Sequence, residues 1–539
     1  MPSHAAPDDF GPRLNLDQLE VGLGPRRLRL HHPCTLRAGR LYLVVGRSGS
    51  GKSSFARALL GFGDLSDPLI PCTGEVTIGD GASDAHVVWS QLGYEPSSRR
   101  HIAFLPQAEK LGFLDGLSVT GNLTLFSRLE AERAAQEIDR LAAQFQLAPL
   151  PQRLANASGG ERIRLSAVRG LLPRSATEGI PSIIIADEPT AGLDPGAAAS
   201  LARSLNELAR NAQSVVIVIT HEPEQFLDGD ESRALVDQEG VQIVECQFAA
   251  DTGRNRIASV AGRLRLESIA QPPRTIDRWL RRAADMLNQF GAVVLSPLAF
   301  VWGLLGLHRP LVLLKQVVRD GTGAGTQAFS LIGSLLIAGT AAYFIFERMP
   351  KPEIVEPLLL PELMAVTGHT LVRLVLPLGA CGLVTTKLGA AQAARLAAAV
   401  RGGLLETLAL AGWRIEAYAL VPAVLAQFLA MALATIVALG AGVLLAAVVY
   451  VAGHEGASLP LTVNLMIDGL EQAPDWPWYL WAKIGLSSFL GGTIAALCGS
   501  VPSRADDDVA RAVHRTLLWS VLAVIACQCG LILAEFANW

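Results

Sequence analysis

Leu41-Tyr42-Leu43-Val44-Val45 runs directly into Gly46-Arg47-Ser48-Gly49-Ser50-Gly51-Lys52-Ser53-Ser54, and this stretch decides the fold of the N-terminal half. Five apolar residues ending at a glycine have the length of a buried parallel strand. The segment after Lys52, Phe55-Ala56-Arg57-Ala58-Leu59-Leu60, reads as a helix. Between them lies G-x-x-x-x-G-K-S. The glycines let backbone N–H groups curl around an anion, and the helix N-terminus adds a positive partial charge. Gly46, Ser48, Gly49, Ser50, Gly51 and Ser54 are therefore expected to line a phosphate cradle. Lys52 would reach the β and γ phosphates of a nucleotide, and the Ser53 hydroxyl would ligate Mg²⁺.

Two more segments complete this chemistry. Ser182-Ile183-Ile184-Ile185-Ala186-Asp187-Glu188 is an apolar strand ending in two carboxylates. Asp187 would hold Mg²⁺ through water, and Glu188 would polarise an attacking water. Ala157-Ser158-Gly159-Gly160-Glu161 opens a helix, which makes a second anion-binding helix start in the same domain. Two phosphate sites make most sense if each serves a different nucleotide.

At this point the sequence resembles the nucleotide-binding domain of an ABC transporter. The signature segment corresponds to Ala157–Glu161, with Glu161 where glutamine is commoner. Gln107 in Phe104-Leu105-Pro106-Gln107 matches the Q-loop, and Asp194 in Ala191-Gly192-Leu193-Asp194 matches the D-loop. His221, after Val216-Ile217-Val218-Ile219-Thr220, matches the switch histidine. Order and spacing agree over residues 13–245. The resemblance implies an α/β P-loop NTPase fold that uses ATP and Mg²⁺. It assigns Gln107 to Mg²⁺ and to sensing the membrane domain, and His221 to the γ-phosphate. Ser158, Gly159, Gly160 and Glu161 would clamp the nucleotide of an opposite subunit, with Asp194 beside them. One departure is that residues 14–30 contain no aromatic residue to stack on adenine.

Composition separates the chain into halves. Charged residues are only 17% of 539 residues, which with a mean hydropathy of +0.35 argues against a wholly soluble protein. A net charge of −4 leaves no footprint of a nucleic-acid binder. The 7 cysteines have no CxxC spacing, so they read as reduced thiols without disulfide or zinc. The polar start, MPSHAAPDDFGPR, has no apolar core of a signal peptide. Residues 1–250 are expected to form the ATPase domain and 251–275 a basic linker. Residues 276–539 are expected to form an all-α membrane domain that opens with an interfacial amphipathic helix. The basic stretch comprises Arg254, Arg256, Arg263, Arg265, Arg274, Arg278, Arg281 and Arg282, interrupted by Pro272-Pro273.

Five spans are expected. Thr326–Phe346, Ala417–Gly453, Trp478–Val501 and Thr516–Ala534 are apolar, with only Lys483 near one end of the third. Ala417–Gly453 exceeds one perpendicular span and must tilt, kink or protrude. Leu358–Thr386 carries Glu362, His369 and Arg373; such groups face protein or water, or lie near an interface. Lys387, Arg395, Arg401 and Arg414 would form one cytosolic loop, and Arg504, Arg511 and Arg515 another. The stretch 454–476 lacks Lys and Arg and would be external, with Trp476, Trp478 and Trp481 as an aromatic belt. With the ATPase domain in the cytosol, an odd number of spans puts the C-terminus outside, and the expected location is multi-pass in the inner membrane.

The membrane half resembles MlaE-type lipid permeases. Thr370-Leu371-Val372-Arg373-Leu374-Val375-Leu376-Pro377 is similar to their LxRELGP stretch. Leu388–Ala397, Gly402–Gly412 and Tyr418–Pro422 follow in the family's order, and Gly499–Leu517 resembles its last loop. Leu374, Arg395 and Gly403 stand where the family has glutamates. The resemblance implies a homodimer with two ATP sites and a coupling segment over 387–414 that meets Gln107. It also implies an amphipathic lipid, a phospholipid above all, as cargo, with a separate MCE-domain or periplasmic lipid-carrier partner. Two other classes remain open: an ABC exporter of another amphipathic compound, and a non-transporting ABC mechanotransmitter. The second would need a larger external domain than 454–476 offers.

Overall fold

The computed structural model describes residues 12–268 and 291–537 apart from short segments, the longest being 61–71, 80–84, 95–100, 108–112, 173–181, 402–407 and 409–413. The chain divides into two compact units. One is Met1–Arg282 with Arg401–Arg414; the other is Ala283–Val400 with Ile415–Trp539.

The first unit is built on one mixed sheet. Its strands are β1 (Arg13–Leu23), β2 (Arg26–Leu30), β3 (Cys34–Arg37), β4 (Leu41–Val45), β5 (Cys72–Gly79), β6 (Ala85–Ser90), β7 (Gly93–Tyr94), β8 (Ile102–Leu105), β9 (Ile183–Asp187), β10 (Val215–Thr220), β11 (Val241–Ala249) and β12 (Arg254–Ser268). Their order is β7-β6-β5-β1-β2-β12-β11-β4-β10-β9-β8, with β3 on β1. β4, β10, β9 and β8 are parallel neighbours. The pleat sends alternate residues to two different cores. Leu41, Leu43, Val45, Ile184, Ala186, Val216 and Val218 join one apolar cluster. Tyr42, Val44, Ile183, Ile185, Val215, Ile217 and Ile219 join the other. That is why these strands read as unbroken apolar runs: both faces are covered. The unit's helices are α1 (Lys52–Leu59), α2 (Val119–Leu123), α3 (Ala131–Gln144), α4 (Gly159–Leu171) and α5 (Pro195–Asn211).

The expected basic linker is corrected here. Residues 254–268 form β12, paired antiparallel with β11 and β2 in the middle of the sheet. Leu264 is buried while Arg263 and Arg265 beside it are exposed. Arg256, Arg263 and Arg265 are exposed, the last two flanking Leu264 with period-two alternation, and the ATPase unit therefore runs past residue 250. Arg274, Arg278, Arg281 and Arg282, and the expected interfacial helix up to residue 290, lie outside the described residues.

The second unit is helical: α6 (Gly291–Leu305), α7 (Pro310–Gly321), α8 (Ala324–Glu347), α9 (Pro352–Thr370), α10 (Leu376–Val384), α11 (Ala390–Arg401), α12 (Ile415–Gly453), α13 (Leu459–Asp468), α14 (Trp476–Ser500) and α15 (Asp506–Ala537). Among the described residues, five stretches are long and apolar enough to cross a membrane: Leu313–Glu347, Leu360–Arg401, Glu416–Gly453, Trp476–Ser500 and Val509–Phe536. α8 packs through Ser330, Ser334, Ala338 and Ala342, a small residue every fourth position that allows close helix approach.

Two expected details change. The second span continues to Arg401 through π-helical turns at Leu371–Val375 and Thr385–Gly389, so Lys387 and Arg395 are helical and not in a loop. The alanine-rich stretch of α11 offers nothing to stop the helix. α12 is a single run of 39 residues that takes Pro422 in its interior, near its start. Of the expected aromatic belt, Trp478 and Trp481 are exposed and Trp476 is half-buried against an apolar cluster.

Candidate functional site

The C-terminal ends of β4, β9 and β10 converge, and the loops leaving them carry the site. Gly49 and Gly51 take φ of 78° and 95°, left-handed values that explain their identity in the loop. Gly46 has no room for a side chain, because an added Cβ would meet the Gly240 carbonyl. Lys52 is buried and folds back on the loop, with Nζ donating to the carbonyls of Gly46 at 2.6 Å and Arg47 at 3.0 Å. Burial pushes its ammonium below the usual lysine range, and the carboxylates of Glu188 and Asp187 pull the other way.

Ser53 Oγ donates to Asp187 Oδ1 at 3.2 Å, which joins the first turn of α1 to the tip of β9. Glu188 follows with a positive φ of 47° and its N–H donating to the Ile219 carbonyl at 2.8 Å. A non-glycine residue in that conformation is strained. The strain aims its carboxylate into a ring of partners: Gln107 Nε2 donates to Oε2 at 2.8 Å, and His221 Nδ1 lies 3.0 Å from Oε1. Six expected residues, Lys52, Ser53, Gln107, Asp187, Glu188 and His221, are thus brought to one place from four separate segments.

The donor set suits a triphosphate with a hard cation. Ser50 Oγ is buried in the loop without a hydrogen-bond partner, an orphan inside the cradle that a phosphate oxygen would satisfy. Among the described residues no group of three or more His, Cys, Asp and Glu is placed to hold a metal. Ser53 Oγ and the Asp187 carboxylate offer hard oxygens side by side, and Mg²⁺ habitually takes its remaining ligands from phosphate and water. Ser48 and Gly49 are exposed at the loop mouth, and Ser54, the third residue of α1, is half-buried.

The signature residues stand elsewhere. Ser158 caps α4, its Oγ accepting from Glu161 N at 3.3 Å, while the Glu161 carboxylate accepts from Ser158 N at 2.7 Å. This reciprocal capping box explains why an acid serves at position 161. The Ser158 bonds hold the Glu161 carboxyl below the usual range. Ser158 and Gly159 are exposed, and none of the hydrogen bonds of this segment reaches the P-loop. Asp194 is a helix cap: its Oδ1 accepts from Gly196 N and Ala197 N at 3.0 Å each. A Cβ on Gly160 would press on Leu193, so the signature and the segment before Asp194 are packed side by side.

The sequence reading passed over one cluster in the membrane unit. Arg373 Nε donates to Glu535 Oε1 at 2.6 Å, and Lys483 Nζ is paired with Glu535 Oε2. All three are buried. Arg373 and Lys483 were visible as ionisable residues inside apolar spans; Glu535 reads as the ordinary polar end of a helix.

Comparison with known proteins agrees with this division. Residues 32–191 match the family model described as ABC transporter, and residues 331–534 match the one described as Permease MlaE. The putative ribose/galactose/methyl galactoside import ATP-binding protein 2 of Rhizobium meliloti is 31% identical over 38% of this chain and 38% of its own length. The lipoprotein-releasing system ATP-binding protein LolD of Bordetella pertussis is 29% identical over 40% of this chain and 90% of its own. The zinc import ATP-binding protein ZnuC of Roseobacter denitrificans is 29% identical over 39% and 69%. The chain thus spans 38% of the first of these relatives, and all three align with less than half of it. A solved dimeric bacterial ABC transporter cassette aligns with 39% of this chain and 89% of its own at 21% identity and a TM-score of 0.29. This chain joins an ABC transporter ATPase domain to an MlaE permease domain, in that order, on one polypeptide.

Proposed function

We propose that the chain is an ATP-driven lipid transporter of the inner membrane that works as a homodimer, with its ATPase domain in the cytosol. The observation that carries this reading is the division of the nucleotide chemistry. The P-loop, Gln107, Asp187, Glu188 and His221 meet in one place, while the Ser158 helix start is exposed and bonded only within its own segment. A second copy presenting Ser158, Gly159 and Gly160 would close each site.

Within such a site each residue has a task. Lys52 would leave its carbonyl partners for the β and γ phosphates. Ser53 and Gln107 would hold Mg²⁺ directly and Asp187 through water; the ion would neutralise charge on the phosphates. Glu188 would accept the proton of the attacking water, oriented by Gln107 and His221. His221 would turn Nε2, which lies 3.5 Å from Glu222 Oε1, to the γ-phosphate. Closure around nucleotide and reopening after hydrolysis would drive the membrane half between two arrangements.

The match of residues 331–534 to the MlaE permease model supports an amphipathic lipid, a phospholipid foremost, as cargo. A separate MCE-domain or periplasmic carrier protein would receive or deliver it. The experiment is mass spectrometry of lipids that co-purify with the full-length chain. One or a few phospholipid species enriched over the bulk membrane are expected; a bound lipid profile equal to the bulk would overturn the cargo assignment.

A further inference from the structure

The turn between α7 and α8 is flanked by cations that the nucleotide chemistry does not use. α8 has 24 residues, about 36 Å at 1.5 Å per residue, which by itself crosses a hydrocarbon core of about 30 Å. Its first residues, and the turn at Thr322-Gly323 before them, therefore lie at one membrane boundary. α11 and the π-helical turn before it stand against this turn. Lys387, on the π-turn Thr385–Gly389, donates Nζ to the Gly325 carbonyl at 2.9 Å. Arg395 Nη1, on α11, donates to Asp320 Oδ1 at 2.8 Å, and Arg319 Nε lies 3.5 Å from the same oxygen. Gln327 Nε2 ties the turn to α12 by donating to the Gly321 and Ala430 carbonyls at 2.9 and 3.3 Å.

Three cations thus stand around one carboxylate, and Lys387 enters no ion pair among the described residues. The cations are accessible and the carboxylate is not. The Arg319 and Arg395 side chains are 51% and 47% exposed against 9% for Asp320, and Lys387 is exposed as well. The face is therefore positive toward its surroundings, and a ligand reaches it without any movement of the fold. An apolar face continues it. Val318, Phe329 and Ile332 are exposed on the same two helices, and Lys387 Nζ stands 5.2 Å from the centroid of the Phe329 ring. Cations at a membrane boundary beside exposed apolar side chains match an anionic headgroup with its acyl chains.

The side of the membrane follows from the chain. Arg395 is within the last two turns of α11, which ends at Arg401, where the chain enters the stretch Arg401–Arg414 that belongs to the ATPase unit. With that unit in the cytosol, this is the cytosolic boundary. We propose that Arg319, Lys387 and Arg395 hold the phosphate of an anionic phospholipid of the cytosolic leaflet, with its chains along Val318, Phe329 and Ile332. This lipid is a bound companion on the outer surface of the bundle. The proposal rests on the inner-membrane reading above for its side and is independent of which lipid is moved.

The test reads selectivity for charge. The full-length chain and its variants are reconstituted in nanodiscs of phosphatidylcholine with a minority of phosphatidylglycerol, and the lipids retained on extraction are measured by mass spectrometry. The parent is expected to retain phosphatidylglycerol above its share. The ratio of phosphatidylglycerol to phosphatidylcholine should fall about fivefold in Lys387→Gln and again by a similar factor when Arg319→Gln is added, the weight of one basic side chain each. It should rise in Asp320→Asn, which removes the carboxylate, and stay at the parent's value in Lys387→Arg. Salt at about 0.5 M should lower the parent's preference, since the cations are exposed.

Equal ratios in the parent and every variant would overturn the site, while the transport reading is decided separately by ATP-dependent lipid transfer. Displacement of the retained phosphatidylglycerol by millimolar inorganic phosphate would make this a free-anion site and overturn the lipid assignment. A loss of selectivity accompanied by a change in the oligomeric state of Lys387→Gln would make the face a contact between copies of the chain, and would overturn it equally. If Lys387→Gln does not fold, Arg319→Gln and Asp320→Asn decide, because their ratios must move in opposite directions.

Discussion

The imidazole of His221 and the carboxylate of Glu188 meet at 3.0 Å, although 33 residues separate them along the chain. Parallel pairing of β9 with β10 brings their tips together, with Asp187 opposite Ile219. The pair places a proton acceptor and its orienting group where the γ-phosphate is expected. Glu188→Gln keeps the shape and the Gln107 contact but removes the base. Steady-state hydrolysis is expected to fall by about 10²–10⁴-fold while nucleotide affinity is kept. Turnover by the purified variant, beside binding of a fluorescent nucleotide analogue, checks this.

Lys52 predicts the opposite pattern. Its ammonium is already inside the loop, on the carbonyls of Gly46 and Arg47. Lys52→Ala is expected to lose nucleotide affinity itself, read in the same binding assay, with the thermal unfolding of the apo chain little changed.

The capping box at the start of α4 gives a stability prediction with a pH sign. Glu161→Gln can still accept from Ser158 N and should unfold at the parent's temperature at neutral pH. Ser158→Ala loses the cap and should cost about 1 kcal/mol. The Glu161 carboxyl is held below its usual range, so its contribution is present above the unfolded value of about 4.3 and is lost as pH falls through the lower folded value. Thermal unfolding of parent and Glu161→Gln between neutral and acid pH should show the parent losing more, by a small amount because the group is exposed.

Much of the nucleotide site was legible because its residues are contiguous with apolar strands whose period and length are unmistakable. Gly46–Ser53, Asp187–Glu188 and Gln107 each follow a buried strand, and strand ends in an open parallel sheet converge. The strand over 254–268 was not legible: its arginines mask a period-two pattern in which, among the described residues, Leu264 is the one fully buried apolar side chain. In the membrane half, burial is set by packing partners far away in sequence. Arg373 and Glu535 are 162 positions apart, and nothing local marks them as a pair. The resemblance to MlaE permeases leaves positions 374 and 395 as Leu and Arg where carboxylates are expected. The structure supplies carboxylates to the same neighbourhoods from elsewhere, Glu535 beside Arg373 and Asp320 on Arg395 at 2.8 Å.

That last pair predicts a charge swap. Arg395→Glu sets a carboxylate against Asp320 and should lower the unfolding temperature of the detergent-solubilised chain. Adding Asp320→Arg should recover most of the loss. The effect is modest, about 1 kcal/mol or less, because Arg395 is half exposed. Failure of the double variant to recover would mean that the two do not act as a pair.

Gly368 predicts a larger effect. A Cβ there would collide with the Met466 carbonyl, where α13 crosses α9. Gly368→Ala is expected to destabilise the membrane unit by about 1–3 kcal/mol, read as an earlier melt in nanodiscs.

The central claim is that ATP hydrolysis in the first unit moves lipid through the second. The direct measurement is ATP-dependent transfer of a labelled phospholipid by the full-length chain in proteoliposomes, with Glu188→Gln as control. Transfer is expected to require ATP and to vanish in Glu188→Gln. A parent chain that hydrolyses ATP and moves no more lipid than the variant would contradict it.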